Sequence, residues 1–357
     1  MAFSSFFILQ MIKWFDGERT MSGIYHVLRG KQSAQSIQDS YLFSVRPFFH
    51  ALESYSREAF DRQIEALIKA GLVMRQQGAP DHLLLTPAGV DDWGKGSHHY
   101  SIPSGLGYTD VIHGERLFWL RVQLLVQTLS ELRAANAAFF PVTRTGRATE
   151  SVRAFLHHQS TDYSRLARRI KEELSALLEG IDDQTGHLLI NQLSGNGVSG
   201  QTLDQIARLD GLDPIETHLR AKSGLRTILH QLINEPQLAP DLLPFYERRV
   251  TNLTRSAQRT HELMDKIQGL NQLAALRHLA VSTIQDHIVE MALKINDFDC
   301  SLYLTSDQYD RVLQAQSQLH TRQLKPLKKY LGEPLSFFQI RLALARASLD
   351  ERNEQDK

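Results

Sequence analysis

Few residues in this 357-residue chain have the types and spacing that chemistry requires. Gly195-Asn-Gly-Val-Ser-Gly200 spells G-x-G-x-x-G, which after a strand would set backbone N–H groups against a dinucleotide pyrophosphate. Its flanks read as helices rather than as a βαβ unit, so a helix-to-helix connector is the expectation. Gly30-Lys31 lacks the upstream glycine of a phosphate-binding loop, which argues against an ATPase motor. The pairs His98-His99 and His157-His158 lack the i, i+4 facing of a helical metal site, and no cysteine joins them. The single Cys300 cannot close an internal disulfide. No nucleophile and base form a recognisable pair. The chain is therefore expected to be non-catalytic, with no cofactor and no metal.

Phosphate contact is the chemistry left. Lys plus Arg and Asp plus Glu both total 40, so no global field drives the chain onto an anionic polymer or membrane. Cations nevertheless cluster locally. From Arg144 to Lys171 there are seven basic residues against Glu150 and Asp162, and from His320 to Arg346 six against Glu333, each a balance of +5. Such runs either hold phosphates or are simply solvated helix faces. In the second run Lys325 and Lys329 share a helix face with Lys328 alongside, while Leu324, Leu327 and Leu331 lie opposite.

Residues 270 to 288 supply an element to position those cations. They read as a helix, a sharp turn and a second helix, with Leu273, Ala274, Leu279, Ile284 and Ile288 at the buried positions and Ser282 as the expected cap. A helix-turn-helix lays its second helix in the DNA major groove. Here the outward positions are Ser282, Thr283, Gln285, Asp286 and Glu290, with His287 at the edge, and the two carboxylates are poor neighbours for phosphates. The candidate DNA contacts are Arg277, Ser282, Thr283, Gln285 and His287, together with Lys325, Lys328, Lys329 and Arg341, and Arg57 and Arg62 nearer the N-terminus. The stretch beginning at Leu203 repeats the one beginning at Leu270, with Gly211 where the second copy has His278, so a degenerate helix-turn-helix is expected in the middle of the chain.

The predicted fold is mainly α: an N-terminal winged helix with a small β-hairpin, a helical middle region and a C-terminal helix-turn-helix. The winged helix takes residues 1–93, with helices carrying Phe6 to Trp14, Ile24 to Leu28 and, after Ser56, Phe60 to Ile68, then a hairpin pairing Leu72–Met74 with Leu83–Leu85. Residues 94–110, rich in glycine, are the expected linker, 111–244 the helical middle domain, 245–349 the C-terminal domain and 350–357 a disordered tail. No apolar run approaches the roughly 20 residues of a membrane span, and the apolar Phe3–Met11 segment lacks the basic flank of a secretory signal. A cytoplasmic location is the expectation.

The residues Leu273-Ala274, Arg277, Ser282-Thr283-Ile284, His287, Leu324-Lys325-Pro326-Leu327 and Phe337-Phe338-Gln339-Ile340-Arg341-Leu342 resemble the helix-turn-helix domain of the bacterial YpbB family. That domain is similar to one at the C-terminus of some RecQ-type helicases. Gly17-Glu18-Arg19, Leu28-Arg29-Gly30-Lys31-Gln32-Ser33, Gln35, Ile37-Gln38-Asp39 and Leu85-Thr86-Pro87-Ala88-Gly89 are similar to the RecQ winged-helix domain. His278 departs from the small turn residue usual in the family. The resemblance implies a DNA-binding accessory partner of a RecQ-type helicase in replication or recombination repair. A transcriptional regulator and a protein-interaction scaffold without DNA contact are the competing readings.

Overall fold

The computed structural model of the chain describes residues 1–159, 162–248, 253–267 and 269–355. The described residues are mainly α-helical, with one two-stranded antiparallel hairpin. Helices α1 (Phe3–Phe15), α2 (Met21–Arg29), α3 (Ala34–Leu42) and α4 (Arg57–Lys69) lead into strands β1 (Val73–Gln76) and β2 (Ala79–Leu85) and helix α5 (Pro87–His99). Then come α6 (Glu115–Arg133), α7 (Gly146–His157), α8 (Tyr163–Leu178), α9 (Asp183–Ile190), α10 (Leu203–Asp210) and α11 (Pro214–Asn234). The C-terminal run is α12 (Arg255–Met264), α13 (Leu270–Arg277), α14 (Val281–Lys294), α15 (Ser306–Leu319), α16 (Leu324–Leu331) and α17 (Phe337–Gln355).

The chain packs as two compact units. A middle unit comprises Met1–Phe6 and Gly96–Val250, and a terminal unit comprises Phe7–Lys95 and Thr251–Lys357. The segments read from the sequence as winged-helix and C-terminal domains thus share one unit.

In the terminal unit the winged helix follows local rules. Thr20 and Ser56 cap α2 and α4 by accepting from Gly23 and Ala59 N–H groups, and α2 ends at Gly30, whose φ of 71° a side chain resists. Val73, Met74 and Arg75 pair with Leu85, Leu84 and Leu83 across the hairpin, and a bridge between Thr20 and His82 ties α2 to it. Helix α3 is an addition to the expected elements. Ser33 caps it, and Ser36, Gln38, Asp39 and Ser40 are buried along with Ile37, Tyr41 and Leu42. Arg19 Nε lies 2.7 Å from Asp39 Oδ1, yet burial still pushes the Asp39 carboxyl above its usual range.

The middle unit is built around α6, whose Phe118, Val122, Leu125 and Leu129 pack with Val152 of α7, Leu166 and Ile170 of α8, Leu188 of α9 and Leu229 of α11. Each such side chain contributes about 2 kcal/mol when fully buried. Glu115, at the start of α6, meets Lys222 at 2.8 Å and Arg226 at 2.9 Å, both from α11, and Arg226 also donates to Leu106 O. Removing one member of so buried a network costs about 3–5 kcal/mol.

Two expected boundaries change. The glycine-rich stretch 94–110 is not a linker: α5 runs through Gly94 and Gly96 to His99, and Gly105 sits in a short 3-10 turn against α11, where an added Cβ would lie 2.4 Å from Ser223 O. Small size there serves close packing rather than flexibility. Helix α15 ends at His320, which adopts φ 48°. The tail expected from 350 continues as α17 to Gln355, while 356–357 lie outside the described residues. Gly195–Gly200 is a turn between α9 and α10, with a bridge between Gly195 and Val198.

Candidate nucleic-acid interface

Helices α12, α13 and α14 form the helix-turn-helix. Leu273, Ala274, Ile284 and Ile288 are buried as their spacing requires. The turn is His278-Leu279-Ala280, and His278 takes φ 51°, the left-handed conformation a Cβ disfavours. The middle repeat has the same build at an offset of 67 positions. There Gly211 takes φ 66°, and Ile206, Ala207, Thr217 and Ala221 are buried where Leu273, Ala274, Ile284 and Ile288 are. Leu212 N–H donates to Ala207 O at 2.8 Å, and Leu279 N–H to Ala274 O at 3.0 Å. The copies differ at the cap. Asp213 Oδ1 accepts from the N–H groups of Ile215 and Glu216, whereas Ala280 offers nothing, and Ser282 lies past the cap position.

Polar side chains lock the three helices together. Arg277 Nη1 donates to Thr260 Oγ1 at 2.6 Å and to Ser256 O at 3.0 Å, and the Thr260 hydroxyl meets His287 Nδ1 at 2.8 Å. Burial lowers the His287 pKa and so favours the neutral ring against the Thr260 hydroxyl. Glu290 accepts from Thr254 N–H and Oγ1 and meets Lys294 Nζ at 2.7 Å. Arg277, His287 and Glu290 therefore brace the domain instead of facing outward.

Helix α14 is also covered from outside. Helices α3 and α17 pack on it, and His287 through Leu293 are all buried. Arg341 of α17 lies 2.6 Å from Asp286 Oδ1 and donates to Gln38 Oε1 of α3 at 3.1 Å, so the predicted phosphate contact clamps three helices. What remains open on α14 is its first turn and a half: Ser282 exposed, Thr283 and Gln285 half-buried. A helix covered along its length cannot lie deep in a groove, and an open N-terminal turn suits backbone phosphates better than base edges.

The remaining candidates divide. Lys325 and Lys329 are exposed on α16, whose Leu327 and Leu331 face inward. Lys328 is turned back, donating to Gly332 O at 3.0 Å and Leu335 O at 2.8 Å. Arg57 is held by Asp61 and by Ser22 Oγ at 3.0 Å, whereas Arg62 is exposed on α4. The sequence signal for the cover over α14 was weak, because α3 carries no apolar periodicity.

No helix among the described residues is long and apolar enough to cross a membrane. A family profile described as a helix-turn-helix domain matches residues 256–344, a segment from the second residue of α12 into α17. No solved structure matches the chain. The chain is similar to Protein YpbB of Bacillus subtilis (strain 168), with 26% identity over 352 residues, 95% of this chain and 96% of that protein. Similarity over nearly the whole of both chains, joined to the helix-turn-helix domain at 256–344, supports a YpbB-type helix-turn-helix family for this protein.

Proposed function

We propose that this protein is a non-catalytic DNA-binding accessory factor that partners a RecQ-type helicase in replication or recombination repair, and that it works in the cytoplasm. The observation that carries the reading is that one compact unit holds both a winged helix and a helix-turn-helix. Both modules resemble parts of RecQ-type helicases, which supports a shared DNA substrate. DNA binding is weak and largely indifferent to sequence, because Ser282, Lys325, Lys329 and Arg62 are open while the rest of α14 is covered. A transcriptional regulator needs a reading helix open to base edges, and the covering of α14 weighs against it.

The test has two arms. Labelled duplex DNA of random sequence is titrated at about 50 and 200 mM salt, and unwinding by the RecQ-type helicase of the same organism is measured with and without the protein. Affinity that falls steeply with salt, together with altered unwinding, supports the proposal. Absence of duplex binding at low salt refutes the DNA role, and unchanged unwinding refutes the partnership.

A further inference from the structure

We propose that the middle unit carries a separate site for single-stranded nucleic acid, centred on Phe140. Phe140 is 85% exposed, the most exposed large apolar side chain among the described residues. It lies in the segment Ala137-Ala138-Phe139-Phe140-Pro141-Val142, outside any helix or strand, in which Val142 is exposed as well. Phe140 and Val142 would hide from water if they were free to do so and are held out instead, while Phe139 and Pro141 are half-buried.

The buried side chain of Gln127 grips the segment on both sides of Pro141. Its Nε2 donates to Phe140 O at 3.0 Å, and its Oε1 accepts from Val142 N–H at 2.8 Å, so one amide substitutes for a neighbouring strand. The entry to the segment is fixed too. Asn136 Nδ2 donates to the buried Glu131 carboxylate at 2.7 Å, Asn136 Oδ1 accepts from Ala138 N–H at 3.2 Å, and Ala135 takes φ 56°. An aromatic ring presented outward on a backbone fixed by a side chain from the core is preorganised for contact, which removes the entropic cost of ordering it on binding.

Charge selects the occupant. From Leu132 to Thr149 the chain has no carboxylate but three arginines, Arg133, Arg144 and Arg147. Arg147 pairs with Glu247, whereas Arg133 and Arg144 are exposed and have no ion-pair partner among the described residues. An apolar protein partner would desolvate those guanidinium groups without compensation. An exposed ring with unpaired cations seven residues before it and four after it in the chain suits stacking of a base and pairing with its phosphates, and only an unpaired strand exposes the faces of its bases. This site shares no residue with the duplex contacts of the terminal unit.

The test uses the full chain and fluorescein-labelled dT20, followed by anisotropy at about 50 mM salt. Phe140→Ala is expected to weaken dT20 binding by about fivefold to a hundredfold, the range of one lost base–aromatic stack, with duplex affinity unchanged. Phe140→Trp is expected to retain binding and to add tryptophan emission that dT20 quenches. The double variant Arg133→Gln with Arg144→Gln is expected to flatten the dependence of log K on log salt by about 1.4, near 0.7 per phosphate. Wild-type affinity of Phe140→Ala for dT20, or an unquenched tryptophan in a binding-competent Phe140→Trp, overturns the proposal. Loss of a protein partner on Phe140→Ala with dT20 binding intact overturns it as well, in favour of a protein-docking face.

Discussion

Replacing Arg341 with methionine separates a structural role from a DNA-contacting one. Its guanidinium lies 2.6 Å from Asp286 and donates to Gln38 at 3.1 Å, and the side chain is 19% exposed. Methionine retains much of the apolar stem and removes both polar contacts. A partly exposed ion pair contributes up to about 1 kcal/mol and a side-chain hydrogen bond about 1 kcal/mol, so the loss is about 2 kcal/mol. The buried Asp39 loses a favourable cationic field as well, which acts in the same direction. For a unit of this size each kcal/mol moves the melting temperature by about 2–4 °C, which gives a fall of about 4–8 °C. The salt slope of duplex binding should stay as in the wild type, since no phosphate contact has been removed. Thermal unfolding followed by circular dichroism, alongside duplex titrations between about 50 and 200 mM salt, measures both quantities. A variant that melts like the wild type but whose salt slope is shallower by about 0.9, the share of one phosphate, would refute the clamp and restore Arg341 to the DNA surface.

The lysines of α16 should divide in the same experiment. Lys325→Ala with Lys329→Ala is expected to flatten the duplex salt slope by about 1.8 at unchanged stability, whereas Lys328→Ala costs about 1 kcal/mol by releasing two carbonyls and leaves the slope alone. Ala280→Ser gives α14 the cap that Asp213 supplies in the middle repeat and is expected to raise stability by about 1 kcal/mol in urea unfolding; no gain would mean the turn cannot present a hydroxyl to the free N–H groups. His287, held neutral by burial, has a folded pKa below its ordinary 6.5, so its contribution is fully present above 6.5 and is lost as pH falls, when the unfolded chain takes the proton and the folded one resists. His287→Gln is therefore expected to flatten the decline of stability below pH 6.5, with His26, lowered in the same direction, keeping part of it. A decline as steep as the wild type's would remove His287 from the account.

Much of this architecture was legible in periodicity and caps. Ser56, Gly30 and Gly211 stand where the helices they bound begin or end. What escaped lies where polar groups do the packing. Helix α3 buries Ser36, Gln38, Asp39 and Ser40, so it has no apolar stripe to detect, and the short α9 buries Thr185 and Gly186. His278 and His320 end their helices in left-handed conformations, a use of histidine without a strong sequence signal. For the candidate site the failure has one root. A helix-turn-helix pattern establishes which side chains hold the motif together, but not what the rest of the chain lays over its second helix. Arg341, Arg277 and His287 were legible as charged or polar; their partners Asp286, Gln38 and Thr260 are tertiary facts.

The split make-up of the terminal unit also sets a timetable for its assembly. Gln38 and Arg341, which meet in the finished protein, are 303 positions apart. At about 5–20 residues per second of synthesis, roughly 15–60 s separate their emergence. Before that interval ends the middle unit has its whole sequence available and the terminal unit does not. Helix α3, the part of the early segment that later covers α14, must wait in water for a partner not yet made. Its serines, glutamines and aspartate suit that wait, because a surface already rich in hydrogen-bonding groups gives neighbouring nascent chains little to adhere to.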